Sequence, residues 1–399
     1  MATNDTRLTV TEFDFDDVKS NLKIFLKSQT EFTDYDFEGS GMNILLDVLA
    51  YNTHYLGFNA NMLANEMFLD SASLRSSVVS HAKTLGYEPT SATAPKAIVD
   101  VTLNTTGVAT ATLSAGTVFT STVDEVDYQF VTIADVTKSN TGAGIPFTNI
   151  DIYEGTYVTT RYTVDSSDVD QRFLLPDNRS DTSTLTVKVQ TSSSDTSTTT
   201  YTKATDITQL TDSSSVYFLQ EIEAGKFEVY FGDGVVSKSL SDGNIVLLSY
   251  VVTNQDVANG ASSFSSAGAI AGNSVVVVTT VASATGGGER ETIDSIKLKA
   301  PLDYASQGRC VTTDDYKVYT SKLFTLAKTV QVFGGEDGSF DSTLGVISTP
   351  QYGKVFISVR TISGNNMTSA QKNNLISDLK KFNVAMKKMG IKWICEVGS

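Results

Sequence analysis

The spacing of apolar positions changes twice along the chain and divides it into three parts. The 27 residues from Met42 to Phe68 follow the breaker Gly39-Ser40-Gly41 and contain no Pro and one Gly, Gly57. As a helix, at about 1.5 Å of rise per residue, this stretch is roughly 40 Å long. Met42, Leu49, Leu56 and Leu63 recur every seventh residue, the spacing of a seam that meets another helix. Between them stand Leu45, Asn52 and Asn59, and a polar Asn within a seam costs stability while fixing register. Ordinary helices also keep such stripes to pack on their own domain, so spacing alone leaves both uses open. A second helix is predicted after Asp70-Ser71, which could cap it, with Leu74, Val78, Ala82 and Leu85 on one face and Gly86 and Pro89 ending it. Ahead of both, residues 12–28 read as a short amphipathic helix. Asp14, Asp16 and Asp17 sit near its positive end, and Val18, Leu22, Phe25 and Leu26 form its buried stripe.

From Ala97 the period becomes two. Val99, Val101 and Leu103 alternate with Asp100 and Thr102, and Asn104 to Gly107 supplies a turn. Strand-like runs recur at 128–133, 157–164, 184–190, 216–220, 227–231, 245–252 and 274–281, which predicts an all-β middle of one or two sub-domains. Ser192 to Thr200 is a polar run expected to form a solvated loop or hairpin tip. After Gly286-Gly287-Gly288 the pattern is helical again. Glu289 to Lys299 reads as one helix ended by Pro301, and Thr312 or Thr313 can cap a second that carries Tyr316, Tyr319 and Leu323. Strands at 329–333 and 354–359 and a final helix, with Thr368 and Gln371 as its capping box, complete a mixed α+β part. The expected architecture is therefore α+β and multidomain: an N-terminal helical hairpin or bundle (1–94), a β-rich middle (95–285) and an α+β domain (286–399).

Charge sharpens this division. Residues 1–94 carry 6 basic and 13 acidic groups, residues 95–285 carry 9 and 21, and residues 286–399 carry 15 and 11. An acidic front and middle disfavour nonspecific binding to nucleic acid or an anionic membrane, because phosphate binding relies on positive charge. Asp47, His54, Glu66 and several Asn interrupt the long apolar helix, which argues against a membrane span.

Residues suited to catalysis are sparse. His54 and His81 are the only histidines, and neither has a second His or Cys at metal-ligand spacing. Cys310 and Cys395 are the only cysteines and form neither a disulfide framework nor a zinc pattern. Glu289 follows the Gly triplet where a phosphate loop needs Lys, so a hinge between domains is the simpler use of those glycines. Asp337, Ser339 and Asp341 do not complete an EF-hand, and Asp124 with Asp127 is an ordinary acidic turn. No catalytic, cofactor-binding or metal residue is nominated, and the expected class is non-enzymatic.

Three ordered segments carry a resemblance. The first runs from Phe37-Glu38-Gly39-Ser40-Gly41 through Asn65-Glu66-Met67-Phe68-Leu69-Asp70-Ser71-Ala72 to Leu85-Gly86-Tyr87-Glu88-Pro89. The second is Leu113-Ser114-Ala115-Gly116-Thr117-Val118-Phe119. The third runs from Gly287-Gly288-Glu289-Arg290-Glu291-Thr292 through Lys299-Ala300-Pro301 to Arg309-Cys310-Val311-Thr312-Thr313-Asp314-Asp315-Tyr316, then Val332-Phe333-Gly334-Gly335-Glu336-Asp337 and Tyr352-Gly353-Lys354-Val355-Phe356-Ile357. In this order they resemble the baseplate wedge proteins of contractile-tailed bacteriophages, the baseplate J-like family in its long, T4-like form. Glu66, Gly86, Glu291, Pro301, Arg309, Thr312, Asp315 and Tyr316 are the motif positions.

The resemblance implies a structural subunit of the virion's tail baseplate, made in the host cytoplasm. Its N-terminal helices would bundle with a second copy and with another wedge protein. Its C-terminal part would join neighbouring wedges into an inner ring that rearranges on sheath contraction, beside sheath-initiating and hub-proximal proteins. Long members continue past the final helix, whereas this sequence ends soon after Phe382 with Lys387-Lys388-Met389-Gly390 and Trp393-Ile394-Cys395, which match nothing in the family pattern. The rival reading is a receptor-binding, tail-fibre-like adhesin using the Ser/Thr-rich turns of the β middle; a cell-wall hydrolase ranks third.

Overall fold

The computed structural model describes residues 14–29, 31, 39–105, 107–168, 170–204, 210–324, 327–334, 354–361, 366–367, 369–382 and 390–393. The chain divides into two compact units, residues 1–84 and 85–399.

The first unit is helical: α1 (Phe15–Lys27), α2 (Gly41–Glu66) and α3 (Arg75–Thr84). Ser40 caps α2, its Oγ accepting from the Asn43 N–H at 3.0 Å. α2 buries Asn43, Leu46, Ala50 and Gly57, positions three, four and seven apart that make one narrow face. Val18 is the buried residue of α1, while Phe25, expected in its buried stripe, is exposed. The cap of α3 also differs from expectation. Glu66, reaching forward from the end of α2, accepts from the Ser73 N–H at 2.8 Å and the Leu74 N–H at 3.2 Å, so neither Asp70 nor Ser71 is needed there. His81 closes the same joint by hydrogen bonding through Nε2 to the Glu66 carbonyl at 2.9 Å. Val78, Val79 and Ala82 are the buried residues of α3, and Leu74 is exposed.

The second unit opens with β1 (Lys96–Leu103), β2 (Thr110–Leu113), β3 (Val118–Val123), β4 (Val126–Val131), β5 (Val136–Ser139) and β6 (Ile145–Glu154). There follow β7 (Thr156–Thr163), β8 (Phe173–Leu175), β9 (Ser180–Gln190), β10 (Thr198–Lys203), β11 (Val216–Glu221), β12 (Phe227–Phe231) and β13 (Ile245–Val252), then β14 (Ser265–Ser266) and β15 (Val276–Thr285). A six-stranded sheet has the order β14-β3-β4-β6-β1-β15, and a seven-stranded sheet the order β7-β13-β9-β10-β11-β12-β8. Each has its own core. Val99, Val101, Leu103, Phe119, Phe130 and Phe147 fill the first, and Phe173, Val187, Val229, Leu248 and Tyr250 fill the second. The Tyr162 hydroxyl of β7 donates to the Leu174 carbonyl of β8 at 2.6 Å, linking the two edges of the seven-stranded sheet.

The connectivity is nested: the seven-stranded sheet is an excursion between β6 and β14, and the whole β region is an excursion between residues 93 and 288. Each neck is tied by a buried glutamate. At the inner neck Glu154 accepts from the Thr253 hydroxyl at 2.7 Å, the Asn254 N–H at 2.9 Å and the Asn254 side chain at 2.7 Å. At the outer neck Thr93 and Gly288 exchange backbone hydrogen bonds at 3.0 Å, and Lys96 of β1 faces Thr285 of β15.

The last part contains α4 (Ile293–Ser306), α5 (Thr313–Leu323), β16 (Ala327–Gly334), β17 (Lys354–Thr361), α6 (Ser369–Leu379) and β18 (Gly390–Trp393), with sheet order β16-β17-β18. Cys310, Tyr316, Tyr319, Val330, Ile357, Leu375 and Leu379 form its core. Pro301 does not end α4 as the sequence suggests; it lies inside a helix that starts at the Thr292 cap and runs to Ser306. Termination comes instead from Gln307 and Gly308, both at positive φ. Asp337, Ser339, Asp341 and Thr368, weighed above, lie outside the described residues.

Candidate assembly interface

Beyond its buried face, α2 exposes most of its circumference, and most of the exposed side chains are apolar. Leu45, Leu49, Leu56 and Leu63 are 52–69% exposed, Met42 is half-buried, and Asn52 and Asn59 lie exposed between the leucines. A second stripe, which the heptad count from Met42 overlooks, runs through Ile44, Val48, Tyr51, Tyr55, Phe58 and Met62, each 44–61% exposed. Its spacing alternates four and three, so it is a heptad seam in its own right. A groove of about 460 Å³ between the stripes is lined by Val48, Leu49, Tyr51, Asn52, Tyr55, Leu56 and Asn59. No Asp, Glu, Lys or Arg occurs from Val48 to Asn65. Exposed apolar surfaces of this extent are characteristic of interaction sites.

The remaining motif positions build joints. Glu66 caps α3. Burial alone would raise its pKa, but hydrogen bonds from Ser73, Ser77 and Leu74 prevail and hold it down at about 2. Gly86 takes φ +77 just past α3, a conformation glycine adopts without steric cost. Glu291 is buried and accepts from the Tyr87 hydroxyl at 2.9 Å to each oxygen, the Thr90 N–H at 3.2 Å and the Ser295 hydroxyl at 2.6 Å. Lys299 completes the set at 3.0 Å. Burial opposes ionisation of Glu291, yet the Ser295 hydrogen bond and the Lys299 charge keep its pKa below the usual value. Burial, then the neighbouring Glu291 charge, raises that of Tyr87.

Gly287 is not a free hinge. A Cβ there would stand 2.4 Å from both the Gln255 carbonyl and Pro95, and its N–H and C=O are held by the Asn259 side chain at 3.0 Å each. Thr312, not Thr313, caps α5 in a capping box with Asp315, whose Oδ2 accepts from the Val311 and Thr312 N–H groups at 3.0 and 2.8 Å. Arg309 bonds Gln307 at 3.2 Å, and Tyr316 is buried in the core beneath the cap.

A cleft of about 500 Å³ lies beside Glu291, between Tyr87, Lys299, Asp303 and Lys322. Its central charges are engaged with one another, Lys299 with Glu291 and Lys322 with Asp303 at 2.9 Å. Among the described residues no three His, Cys, Asp or Glu side chains come together to hold a metal. The Cys310 thiol is buried, which pushes its pKa up to about 12, far from thiolate chemistry.

Two family descriptions match the chain. Residues 14–87 match the helical domain of baseplate wedge protein gp6-like, and residues 312–389 match C-terminal domain I of baseplate structural protein gp6. Baseplate wedge protein gp6 of Enterobacteria phage T4 is 30% identical over 401 residues, which cover 93% of this chain and 57% of that protein. The chain thus matches gp6-like baseplate wedge models at both ends and the T4 protein along most of its own length. It spans a little over half the length of that T4 relative. Among solved structures, a chain of the anti-feeding prophage baseplate aligns over 96% of this chain and 70% of its own length, at 11% identity. The TM-score is 0.33, too low to establish a shared fold. The first gp6-like match contains all of α2, including both exposed stripes, and the second begins at the Thr312 cap.

Proposed function

We propose that the chain is a non-enzymatic structural subunit of a phage tail baseplate wedge, residing in the virion's tail and working through protein–protein contacts. The observation that carries this reading is the pair of apolar heptad stripes left uncovered on α2, within the stretch that matches the gp6-like helical domain. One exposed stripe suits one helical neighbour. Two suit a bundle in which α2 is flanked by a second copy and by a helix of another wedge protein. Met42, Leu45, Leu49, Asn52, Leu56, Asn59 and Leu63 form one interface, and Ile44 to Met62 the other. The C-terminal α+β part (286–399) contacts neighbouring wedges and takes part in the ring rearrangement on contraction. Glu66, Gly86, Glu291, Pro301, Arg309, Thr312, Asp315 and Tyr316 act within this scheme as joint-forming residues.

Leu49→Asp combined with Leu56→Asp tests the scheme. Both leucines are exposed in the chain, so the fold tolerates the change, whereas burying each in an interface contributes about 1.5–3 kcal/mol before association entropy is subtracted. The double variant is expected to fold normally by circular dichroism and to be lost from tail particles imaged by cryo-microscopy. Normal incorporation of the variant into baseplates would remove α2 from the interface. Absence of the unaltered chain from the particle would remove the structural role itself.

A further inference from the structure

The two large sheets differ at their edges. In the seven-stranded sheet Tyr162 ties β7 to β8, whereas in the six-stranded sheet no backbone hydrogen bond among the described residues joins the end strands β14 and β15. A groove of about 440 Å³ lies there instead, with Val276 and Val278 of β15 on one side and Phe264, Ser265, Ser266 and Ala269 on the other.

The free stretch of β15 is short and defined. The Val275 carbonyl accepts from the Asn104 N–H at 3.2 Å, so Val275 is turned toward β1. Antiparallel pairing alternates residues bonded to the partner strand with residues turned away from it. Val277 and Thr279, opposite Thr102 and Asp100, therefore face β1, and Val276, Val278 and Thr280 direct their N–H and C=O groups to the groove side. Farther along, the edge is closed. Ala284 bonds Gly260 and Ala261 through both its backbone groups at 2.8 Å, and the Thr280 hydroxyl donates to the Ser262 carbonyl at 2.7 Å.

Nothing blunts the stretch from Val276 to Thr280. Sheet edges open to solvent ordinarily carry a charge, a Pro or a bulge that deters pairing. From Val257 to Gly288 there is no Asp, Glu, Lys, Arg or Pro, the longest uncharged run in a chain of net charge −15. The register shifts between β15 and β1 fall beyond Thr280. We propose that the groove takes one extended, uncharged segment of a partner protein, which adds to β15 as a strand between Val276 and Thr280. Main-chain hydrogen bonds hold it, and every second side chain packs on Val276, Val278 and Phe264.

The walls select this occupant. A second copy cannot bring its own β15 to this edge, because each β15 is faced by its own segment 264–269, and a slot bounded on both sides admits a single chain. A charged side chain buried in the slot would find no counter-ion there, which is costly. At about 3.4 Å per residue the free stretch is about 14 Å long, so about five residues fill it.

The test uses the full chain and a capped probe peptide, acetyl-Thr-Val-Thr-Val-Thr-amide, with amide exchange followed residue by residue. The peptide should slow exchange at Val276, Val278 and Thr280 by about 10-fold or more and leave Val277, bonded to β1, unchanged. A peptide with Lys in place of its first Val should not bind. Val278→Pro removes the central donor on the groove side, a change that an edge strand tolerates, and should weaken binding by about 10-fold or more. Ala269→Arg, on the opposite wall and exposed, should do the same by filling the slot without altering β15. Val277→Thr, on the outer face, should leave affinity within about 2-fold, since backbone groups make the contact. Exchange at Val276 and Val278 unaltered by the peptide, equal binding of the Lys peptide, or binding that survives Ala269→Arg would overturn the proposal. None of these outcomes bears on α2, whose role is tested separately by incorporation into tail particles.

Discussion

Tyr87→Phe is the most discriminating single change at the outer neck. Tyr87 and Glu291 are 6% and 8% exposed, and the phenol lies within 2.9 Å of both carboxylate oxygens. Removing the hydroxyl keeps the ring and its packing and deletes a hydrogen bond to a charged acceptor, a loss of about 1.5–3 kcal/mol. Glu291 retains Ser295, Thr90 and Lys299, so the carboxylate is not stranded and the lower part of that range, about 1.5–2 kcal/mol, applies. At 1.4 kcal/mol per decade this is about a 10- to 30-fold rise in the open fraction of the joint. Native-state hydrogen exchange reads it at the Thr93 and Gly288 amides, which are bonded to each other's carbonyls. Glu291→Gln should loosen the same amides further, because it also ends the Lys299 ion pair. The double variant should cost less than the two singles together, by about 1 kcal/mol, since both act on one contact. Additive effects, or exchange at Thr93 and Gly288 unchanged in both singles, would refute the coupling.

Other outcomes follow from single groups. Glu66 is held at about 2 in the folded chain, below the ordinary carboxylate value of about 4.3, so its cap on α3 contributes fully above that value. The contribution is lost as pH falls toward 2. Glu66→Gln should flatten the acid limb of helix content measured by circular dichroism between pH 4.5 and 2, and an unchanged limb would count against the cap. Cys310, buried and raised to about 12, should resist alkylation at pH 8 in the folded chain and react on denaturation; rapid native labelling at this residue would contradict its burial.

The elements legible in the sequence are those with an unbroken period and a chemical stop at each end. β13 spans the expected 245–252, and β12 the expected 227–231. β6 is not legible, for a visible reason: its buried apolar residues are Ile145, Phe147, Ile150 and Ile152, a spacing of two, three, two. Asn149, at φ +54, forms the irregularity, and the pairing with β1 shifts there. The first half of β10 (198–200) reads as loop because it is all hydroxyl side chains, and Tyr201 is the strand's one buried residue. Pro301 misleads because a proline stops a helix only when packing does not hold the flanking turns; Ile296 and Ala300 are both fully buried on the near side. The heptad count found one stripe of α2 and missed the other, since the second has Tyr and Phe where a search for leucine sees nothing. The bond between Tyr87 and Glu291 joins positions 204 apart, and local pattern carries no trace of such a contact.

Nested insertion has a mechanical consequence that one glycine can test. The seven-stranded module leaves and rejoins the chain at Gly155 and Thr253, so loosening there should stay within the module. Gly155 takes φ +121, and a Cβ on it would stand 2.2 Å from the Val252 carbonyl and 2.9 Å from a Val251 methyl. The near atom is backbone, which cannot rotate away. Strain of about 1–3 kcal/mol from the dihedral therefore adds to about 1–3 kcal/mol from the overlap. Gly155→Ala should accelerate exchange first where Thr156 faces Val252, then through β7 and β13, while the core around Ile357 in the C-terminal part keeps its protection. Equal loosening of both regions would mean that the neck transmits disturbance, and that residues 156–252 are not the separable module their connectivity describes.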